Sequence, residues 1–354
     1  METLCSKDNF LDCTMADIKD WKSLSEPTEE WNELLKSIGG QAPDLGMFPD
    51  IASMRTWITE AKKAMTANFE PVKGIKEEKD HEITVRDGSK ITVRTYVPEK
   101  SGGPLAVIYH GGGFCIGGLE NEELLCRNLC GRLGCSVVNV DYRLAPEHVF
   151  PAAAHDCWDA TVWAADNATT LLSSDPSKGF IVAGTSAGGN LAAVVSHLAQ
   201  DTPLAFSITG AHLMIPALCN NKSYPEKYKP DLMSYEQNKN AAILSEKAMD
   251  LFIDNYVPDA SQRSNPLLSV LNWKSGHKGQ PTTYFQICGA DPLRDEAFVY
   301  ERILRQDLGI KTKVDVYPGL PHGFWGVFPQ MKSSGKFVED SVKGAEWLLA
   351  NGKA

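Results

Sequence analysis

A serine lies among small residues in the segment Gly184-Thr185-Ser186-Ala187-Gly188. The apolar run Phe180–Ala183 before it predicts a buried strand. Four apolar residues after it recur at helical spacing: Leu191, Val194, Val195 and Leu198. Ser186 is therefore expected at a sharp bend between a strand and a helix, where the flanking glycines let the chain turn without a Cβ clash. That setting is typical of a nucleophile.

A serine hydroxyl becomes a good nucleophile only when a base takes its proton. His322 lies in the segment Pro318–Phe324, whose proline and glycine residues form a loop after the predicted strand Lys313–Tyr317. Other histidines fall on predicted helices (His155, His197), in a strand (His212) or in a polar loop (His277). We therefore predict that His322 is the base.

The base needs an acid that holds its imidazole in the right tautomer. Asp291 follows the predicted strand Thr282–Cys288 after a short turn, whereas Asp295 stands at the start of a predicted helix, where an aspartate can cap free N–H groups. We favour Asp291, because the end of a strand is where an acid can reach the histidine, and keep Asp295 as the alternative.

A glycine-rich segment, His110–Phe114, follows the predicted strand Leu105–Tyr109. Its three glycines allow backbone N–H groups to point into a site without a side chain in the way, as an oxyanion requires. A phosphate-binding loop is the competing interpretation. It is disfavoured because no Lys-Ser or Lys-Thr pair follows, and the next residues do not begin a helix.

The rest of the chain predicts an α/β fold. Alternating residues on both sides of Asp87-Gly88 indicate a hairpin between His81–Arg86 and Lys90–Tyr96. Apolar strands and amphipathic helices then alternate, which predicts a mostly parallel central sheet with helices on both faces. The strands expected in that sheet are Leu105–Tyr109, Ser136–Val140, Phe180–Ala183, Phe206–Ile215, Thr282–Cys288 and Lys313–Tyr317. In such sheets the chemistry lies at the carboxyl ends of the strands.

Two segments do not fit this alternation. Residues 1–72 have spaced large apolar side chains in a polar background, typical of amphipathic helices, and residues 217–265 form an insertion. We expect both to contribute to a helical cap, with residues 73–216 and 266–354 as the catalytic core. Simple packing of the N-terminal helices on the domain surface is the alternative to a lid over the site.

Composition excludes several classes of partner. The formal net charge of −10 disfavours nucleic acid and anionic membrane surfaces. No apolar run is long enough for a secretory signal or a bilayer span, so a cytoplasmic protein is expected. The nine cysteines lack paired spacing, which favours reduced thiols. Cys126 and Cys130 stand one helical turn apart, but no second pair at ligand spacing accompanies them, so neither a metal nor another cofactor is expected.

Five ordered motifs carry a family resemblance: His110–Phe114, Asp141–His148, Gly184–Gly189, Asp291–Glu296 and His322-Gly323-Phe324. Together they resemble the hormone-sensitive-lipase-like carboxylesterases of the α/β-hydrolase superfamily, over about residues 75–350. The resemblance implies an α/β-hydrolase fold with a catalytic triad of Ser186 as nucleophile, His322 as base and Asp291 as acid. It also implies an oxyanion hole formed by the N–H groups of Gly112, Gly113 and Ala187, and a structural role for Asp141–His148.

The function that the resemblance implies is hydrolysis of a small or short-acyl ester through an acyl-enzyme, with a small-molecule ester as the substrate. Acyl transfer, a lyase or cyclase reaction in a biosynthetic pathway, or binding of a small ligand by a non-catalytic receptor are the alternatives. Candidate walls of the substrate pocket are Phe114, Phe324 and Trp325. The oligomeric state is not readable from the sequence.

Overall fold

The central sheet follows the predicted alternation of strands and helices. The computed structural model describes residues 20–65 and 72–352. Its strands are β1 (Ile75–Thr84), β2 (Lys90–Pro98), β3 (Leu105–Tyr109), β4 (Ser136–Asp141), β5 (Phe180–Thr185), β6 (Gly210–Met214), β7 (Thr282–Cys288) and β8 (Thr312–Tyr317). They form an eight-stranded sheet in the order β1-β2-β4-β3-β5-β6-β7-β8. β2 is antiparallel to both of its neighbours and every other pair is parallel, which confirms the predicted fold class.

Helices cover both faces of the sheet. They are α1 (Glu29–Ser37), α2 (Ile51–Met65), α3 (Glu123–Leu133), α4 (Ala152–Asp166), α5 (Ala187–Asp201), α6 (Ser234–Gln237), α7 (Glu246–Tyr256), α8 (Arg294–Arg302), α9 (Phe324–Val327) and α10 (Lys332–Asn351). Because successive side chains point to opposite faces of a strand, the residues of β3 contribute to two hydrophobic clusters, one on each face of the sheet. Val107 belongs to the cluster under α4, α5 and α8, whereas Ala106 and Ile108 belong to the cluster under α3 and α10.

The observed strands that differ most from the predicted ones are β1 and β6. The hairpin forms around Asp87-Gly88 as expected, with Thr84 opposite Lys90, but β1 begins earlier, at Ile75. The strand predicted from Phe206 begins only at Gly210. Thr209 bonds to the first residue of β5 through its backbone N–H, which donates to the Phe180 carbonyl at 2.8 Å. Residues before Thr209 therefore have no strand beside them.

The N-terminal segment and the insertion contact each other. Asp44 forms a bridge with Ile243 of the insertion, and the Leu45 N–H donates to the Ile243 carbonyl at 3.0 Å. Helices α1 and α2 lie in the segment predicted to form amphipathic helices, and Trp31 of α1 is buried against Phe328. The part of that segment before residue 20 lies outside the described residues. The boundaries of the cap stay a prediction.

His197 and His277 form a buried pair. His277, expected in a polar loop, is only 9% exposed, and its Nδ1 lies 2.9 Å from Nε2 of His197 on α5. Since His197 Nδ1 donates to the Ala193 carbonyl, its Nε2 accepts from His277 Nδ1. Burial lowers the pKa of His197 to about 3 and that of His277 to about 4.

This pair predicts a loss of stability in mild acid. In the unfolded chain both histidines take up protons below about pH 6.5, whereas in the folded chain they stay neutral until about pH 4. The free energy of unfolding should therefore fall as the pH drops from 7 to 5, by up to about 1.4 kcal/mol per pH unit for each histidine. Urea unfolding at both pH values tests this for the wild type and for His277→Gln. The variant should lose less stability between the two pH values, and an equal loss would contradict the interpretation.

Candidate active site

Ser186 lies in a strained turn, and close packing around the turn requires glycine at two neighbouring positions. Ser186 joins β5 to α5 with φ 57° and ψ −113°, a backbone conformation that side chains rarely adopt. A Cβ at Gly184 would lie 2.2 Å from the Gly188 carbonyl oxygen, and a Cβ at Gly188 would lie 2.0 Å from the Tyr109 carbonyl oxygen. Both positions therefore require glycine, and the turn presents the Ser186 side chain at the carboxyl edge of the sheet.

Three predicted residues meet at this edge. His322 Nε2 lies 2.9 Å from Ser186 Oγ, and His322 Nδ1 lies 2.7 Å from Asp291 Oδ2. The second Asp291 oxygen accepts the Leu293 N–H at 2.8 Å, so the carboxylate is held at both ends. With a proton on Nδ1 donated to Asp291, Nε2 is left to accept the serine proton.

The alternative acid, Asp295, faces away from this arrangement. Its carboxylate accepts the N–H groups of Met233 and Ser234 at 2.9 and 2.7 Å, at the start of α6, and pairs with Arg294 at 2.8 Å. The expectation that Asp295 caps its own helix is wrong, because Leu293 is the N-cap of α8 and Asp295 lies inside its first turn. Asp295 instead stabilises the start of α6, which belongs to the insertion.

The glycine-rich loop after β3 is shaped by close packing. Gly112 has φ +125°, and a Cβ there would lie 2.1 Å from the Ile116 carbonyl oxygen. Gly113 has φ +56°, and a Cβ there would lie 2.3 Å from the ring of Phe252 on α7. The described residues show no hydrogen bond from the N–H of Gly112 or Gly113. The N–H of Ala187, as the first residue of α5, has no acceptor within its helix.

The segment Asp141–His148 supports this loop from below. The Tyr142 hydroxyl donates to the His110 carbonyl at 2.8 Å, and the two rings stack at 4.1 Å. The Ala145 N–H donates to the Phe114 carbonyl at 2.9 Å. These contacts hold both ends of the glycine-rich loop.

A largely apolar cavity of about 280 Å³ opens above the serine. Two of the three predicted wall residues, Phe114 and Trp325, line it. The third does not: Phe324 is fully buried below the site, where it packs against Tyr317 and Phe337. Phe324 begins α9, and that helix turns its first side chain into the core while Trp325 faces the cavity.

Helix α7 supplies a roof that the sequence analysis did not assign. Met249, Phe252 and Ile253 line the cavity, together with Leu244 just before the helix. Their spacing of three and four residues was the available signal, since an apolar stripe on an inserted helix must cover another surface.

The sequence analysis gave no individual role to Glu296, the last residue of the motif Asp291–Glu296. Its buried carboxylate accepts the N–H groups of Leu218 and Cys219 at 2.7 and 2.8 Å and the Tyr224 hydroxyl at 2.8 Å. Burial raises its pKa to about 8, against the opposing effect of these hydrogen bonds. Because Cys219 lines the cavity, Glu296 fixes one wall of the site.

The two cysteines on α3 lie in an apolar environment. Cys126 and Cys130 are both buried, and burial raises the pKa of the Cys130 thiol to about 12 and shifts that of Cys126 in the same direction. Within residues 20–65 and 72–352, no group of three or more His, Cys, Asp or Glu side chains could hold a metal ion. In the same residues, no helix combines the length and apolar composition that a membrane crossing requires.

A family model described as "alpha/beta hydrolase fold" matches residues 106–326, well over half of the chain. The chain belongs to the alpha/beta-hydrolase family. The predicted membership of its hormone-sensitive-lipase-like branch is thereby confirmed, and the match includes the serine turn, the loops that carry Asp291 and His322, and the glycine-rich loop.

Individual relatives cover nearly the whole chain. An AB hydrolase superfamily protein of Schizosaccharomyces pombe is 36% identical over 307 residues, covering 86% of this chain and 89% of the relative. Versiconal hemiacetal acetate esterase of Dothistroma septosporum is 33% identical over 329 residues, covering 92% and 96%. Among solved structures, vibralactone cyclase has a TM-score of 0.83 at 32% identity and covers 93% of this chain and 96% of its own.

Proposed function

We propose that this chain is a serine carboxylesterase that hydrolyses small or short-acyl esters through an acyl-enzyme. The observation that carries the proposal is the continuous hydrogen-bond chain from Ser186 through His322 to Asp291, with heavy-atom distances of 2.9 and 2.7 Å, at the base of an apolar cavity. The similarity to an esterase over most of both chains supports it.

The first step forms the acyl-enzyme. Ser186 Oγ attacks the ester carbonyl carbon while His322 Nε2 takes the hydroxyl proton, and Asp291 stabilises the resulting imidazolium. The carbonyl oxygen becomes an oxyanion that accepts the N–H groups of Gly112, Gly113 and Ala187. Each such donor contributes about 3 to 4 kcal/mol of transition-state stabilisation. The tetrahedral intermediate collapses as His322 returns the proton to the departing alcohol.

The second step releases the acid. His322 takes a proton from a water molecule, which attacks the acyl carbonyl, and the same donors hold the second oxyanion. Collapse of this intermediate returns the proton to Ser186 Oγ and frees the carboxylic acid. The cycle needs no group beyond substrate and water.

The small cavity limits the substrate. The volume of about 280 Å³ lies just below the usual range for ligand pockets, which is about 300 to 1,000 Å³. Its roof on α7 packs directly on the glycine-rich loop, because the Phe252 ring occupies the space that a Cβ on Gly113 would need. A long acyl chain has no room at that end of the cavity.

Replacement of Phe252 by alanine should therefore lengthen the acyl chains that the enzyme accepts. Loss of the ring opens the cavity beside the glycine-rich loop, and we expect the ratio of kcat/KM for an octanoyl ester to that for an acetyl ester to rise about tenfold. Aryl esters of one alcohol and graded acyl length measure this ratio. Phe252→Leu should give an intermediate value, and an equal fall for all chain lengths would show that the ring does not limit the substrate.

A covalent probe and product analysis test the proposal itself. An organophosphonate should label the wild-type protein once, on Ser186, and a panel of aryl esters should be hydrolysed. An unlabelled protein would instead support the non-catalytic receptor.

A second candidate reaction is intramolecular acyl transfer, favoured by the similarity to vibralactone cyclase. In that case a hydroxyl group of the substrate, rather than water, attacks the acyl-enzyme. Hydroxy esters whose chain can fold back on the carbonyl should then give lactone as the main product, whereas free acid as the main product supports hydrolysis.

A further inference from the structure

Among the residues that the structure describes, Arg294 is the largest side chain with less than 2% of its surface exposed. Its guanidinium reaches four partners on different parts of the molecule. Nε donates to Asp295 at 2.8 Å, Nη1 to Ser25 Oγ at 2.8 Å and to the Gly289 carbonyl at 2.9 Å, and Nη2 to Gln237 Oε1 at 3.0 Å. A buried charge of this kind persists in a fold only when its partners are complete.

These partners surround the loop that carries the triad acid. We define the acid loop as residues 289–293, which lead from β7 to α8. Arg294 and Ser25 both donate to the Gly289 carbonyl, two residues before Asp291. From the insertion, the Asn238 side chain donates to the Asp291 carbonyl at 3.0 Å. The acid loop is therefore held between the N-terminal segment and α6.

The loop that carries the triad base is tied to the same place. We define the histidine loop as residues 318–323. The Ala290 N–H donates to the Leu320 carbonyl at 3.1 Å, which joins the two loops. The Gly319 N–H donates to the Leu24 carbonyl at 2.7 Å, and a Cβ at Gly289 would lie 2.1 Å from the same carbonyl oxygen. Residues 24–26 thus lie directly on both loops.

We propose that Arg294 is a positioning residue, which holds the acid loop in register with the histidine loop by fastening it to Ser25 and to Gln237. This inference rests on the proposed function, since it concerns the distance between Asp291 and His322. The guanidinium suits the task because its planar array of donors fixes several acceptors in set directions, which a single ammonium group cannot do.

Arg294→Lys tests the proposal, because it keeps the charge and removes the array. We expect kcat to fall about 10- to 100-fold with KM changed less than about twofold, since a small misplacement of the acid affects the transition state more than binding. The midpoint of the acid limb of the pH–rate profile should move to lower pH by about half a unit or more, because a displaced carboxylate stabilises the imidazolium less.

Arg305→Lys is the matched control. Arg305 also pairs with a buried carboxylate, that of Glu301, but contacts neither the acid loop nor the histidine loop. It should lower the thermal midpoint and leave kcat and the acid limb unchanged. If Arg294→Lys does not fold, the double variant Ser25→Ala, Gln237→Ala replaces it. This variant removes two acceptors of Arg294, of which Ser25 is half-buried and Gln237 is exposed. The same changes in kcat and in the acid limb are expected for it.

The outcomes separate this inference from the proposed function. A wild type labelled by the phosphonate, with a folded Arg294→Lys or double variant that keeps kcat and the acid limb, overturns the positioning role alone. A rise in KM at constant kcat also overturns it, because that change marks a binding role. A wild type that is neither labelled nor active overturns both.

Discussion

Replacement of Ser186 by alanine should lower kcat for an activated aryl ester by about 10⁴-fold or more. The variant loses the atom that forms the acyl-enzyme, while the cavity and the N–H groups of the glycine-rich loop remain. Alanine retains Cβ and so preserves the strain that serine already accepts at φ 57°. The fold should therefore be unaffected, and steady-state kinetics at saturating substrate measure the chemical loss.

Ser196→Ala is the control for this experiment. Ser196 lies on the same helix, is buried, and donates only to the Ala192 carbonyl at 2.8 Å. It should keep full activity and full labelling by the phosphonate. Turnover within about tenfold of wild type in Ser186→Ala would exclude this serine as the nucleophile.

Asp291→Asn should cost about 10⁴-fold in kcat without disturbing the fold. The Leu293 N–H needs an acceptor, so the amide oxygen of the asparagine turns to it and the NH₂ group faces His322 Nδ1. The imidazole must then accept at Nδ1 and carry its proton on Nε2, which lies 2.9 Å from Ser186 Oγ. That tautomer cannot take the serine proton.

The same measurement on Asp295→Asn distinguishes the two candidate acids. Asp295 holds the start of α6 and pairs with Arg294, so its replacement should reduce stability and lower kcat far less than Asp291→Asn does. A larger loss from Asp295→Asn would assign the acid role to that residue. Thermal unfolding of both variants shows how much of each loss in activity comes from reduced stability.

The insertion and the N-terminal segment are both linked to the loop of Asp291 through the motif Asp291–Glu296. Asp295 bonds to the start of α6, and Glu296 bonds to residues 218 and 219 at the entry to the insertion. Arg294 donates to Ser25 and so links the same motif to the N-terminal segment. A movement of the insertion would therefore strain the segment that carries Asp291, and changes in α7 and in residues 289–293 should not be independent.

The sequence by itself predicted the alternation of strands and helices along the chain and the edge of the sheet at which the candidate site lies. Period-two patterns and apolar runs predicted β3 and β7 with their observed bounds, because a strand buried on both faces has a local signature. The positions of Ser186, Asp291 and His322 followed from a rule of the same kind, since residues after parallel strands meet at one edge of the sheet.

Tertiary structure decided what those local rules do not contain. Phe324 and Trp325 are adjacent in sequence, yet one lies in the core and the other in the cavity, because the orientation of α9 is set by packing against Phe337. Asp295 is expected from its sequence position to cap its own helix, but its carboxylate accepts the N–H of Ser234 at the start of α6, 61 residues away. Two of the partners of Arg294, Ser25 and Gln237, come from distant segments, and only the folded chain brings them within reach of its guanidinium. Such contacts depend on where distant segments pack, and that packing leaves no periodic signal in the sequence.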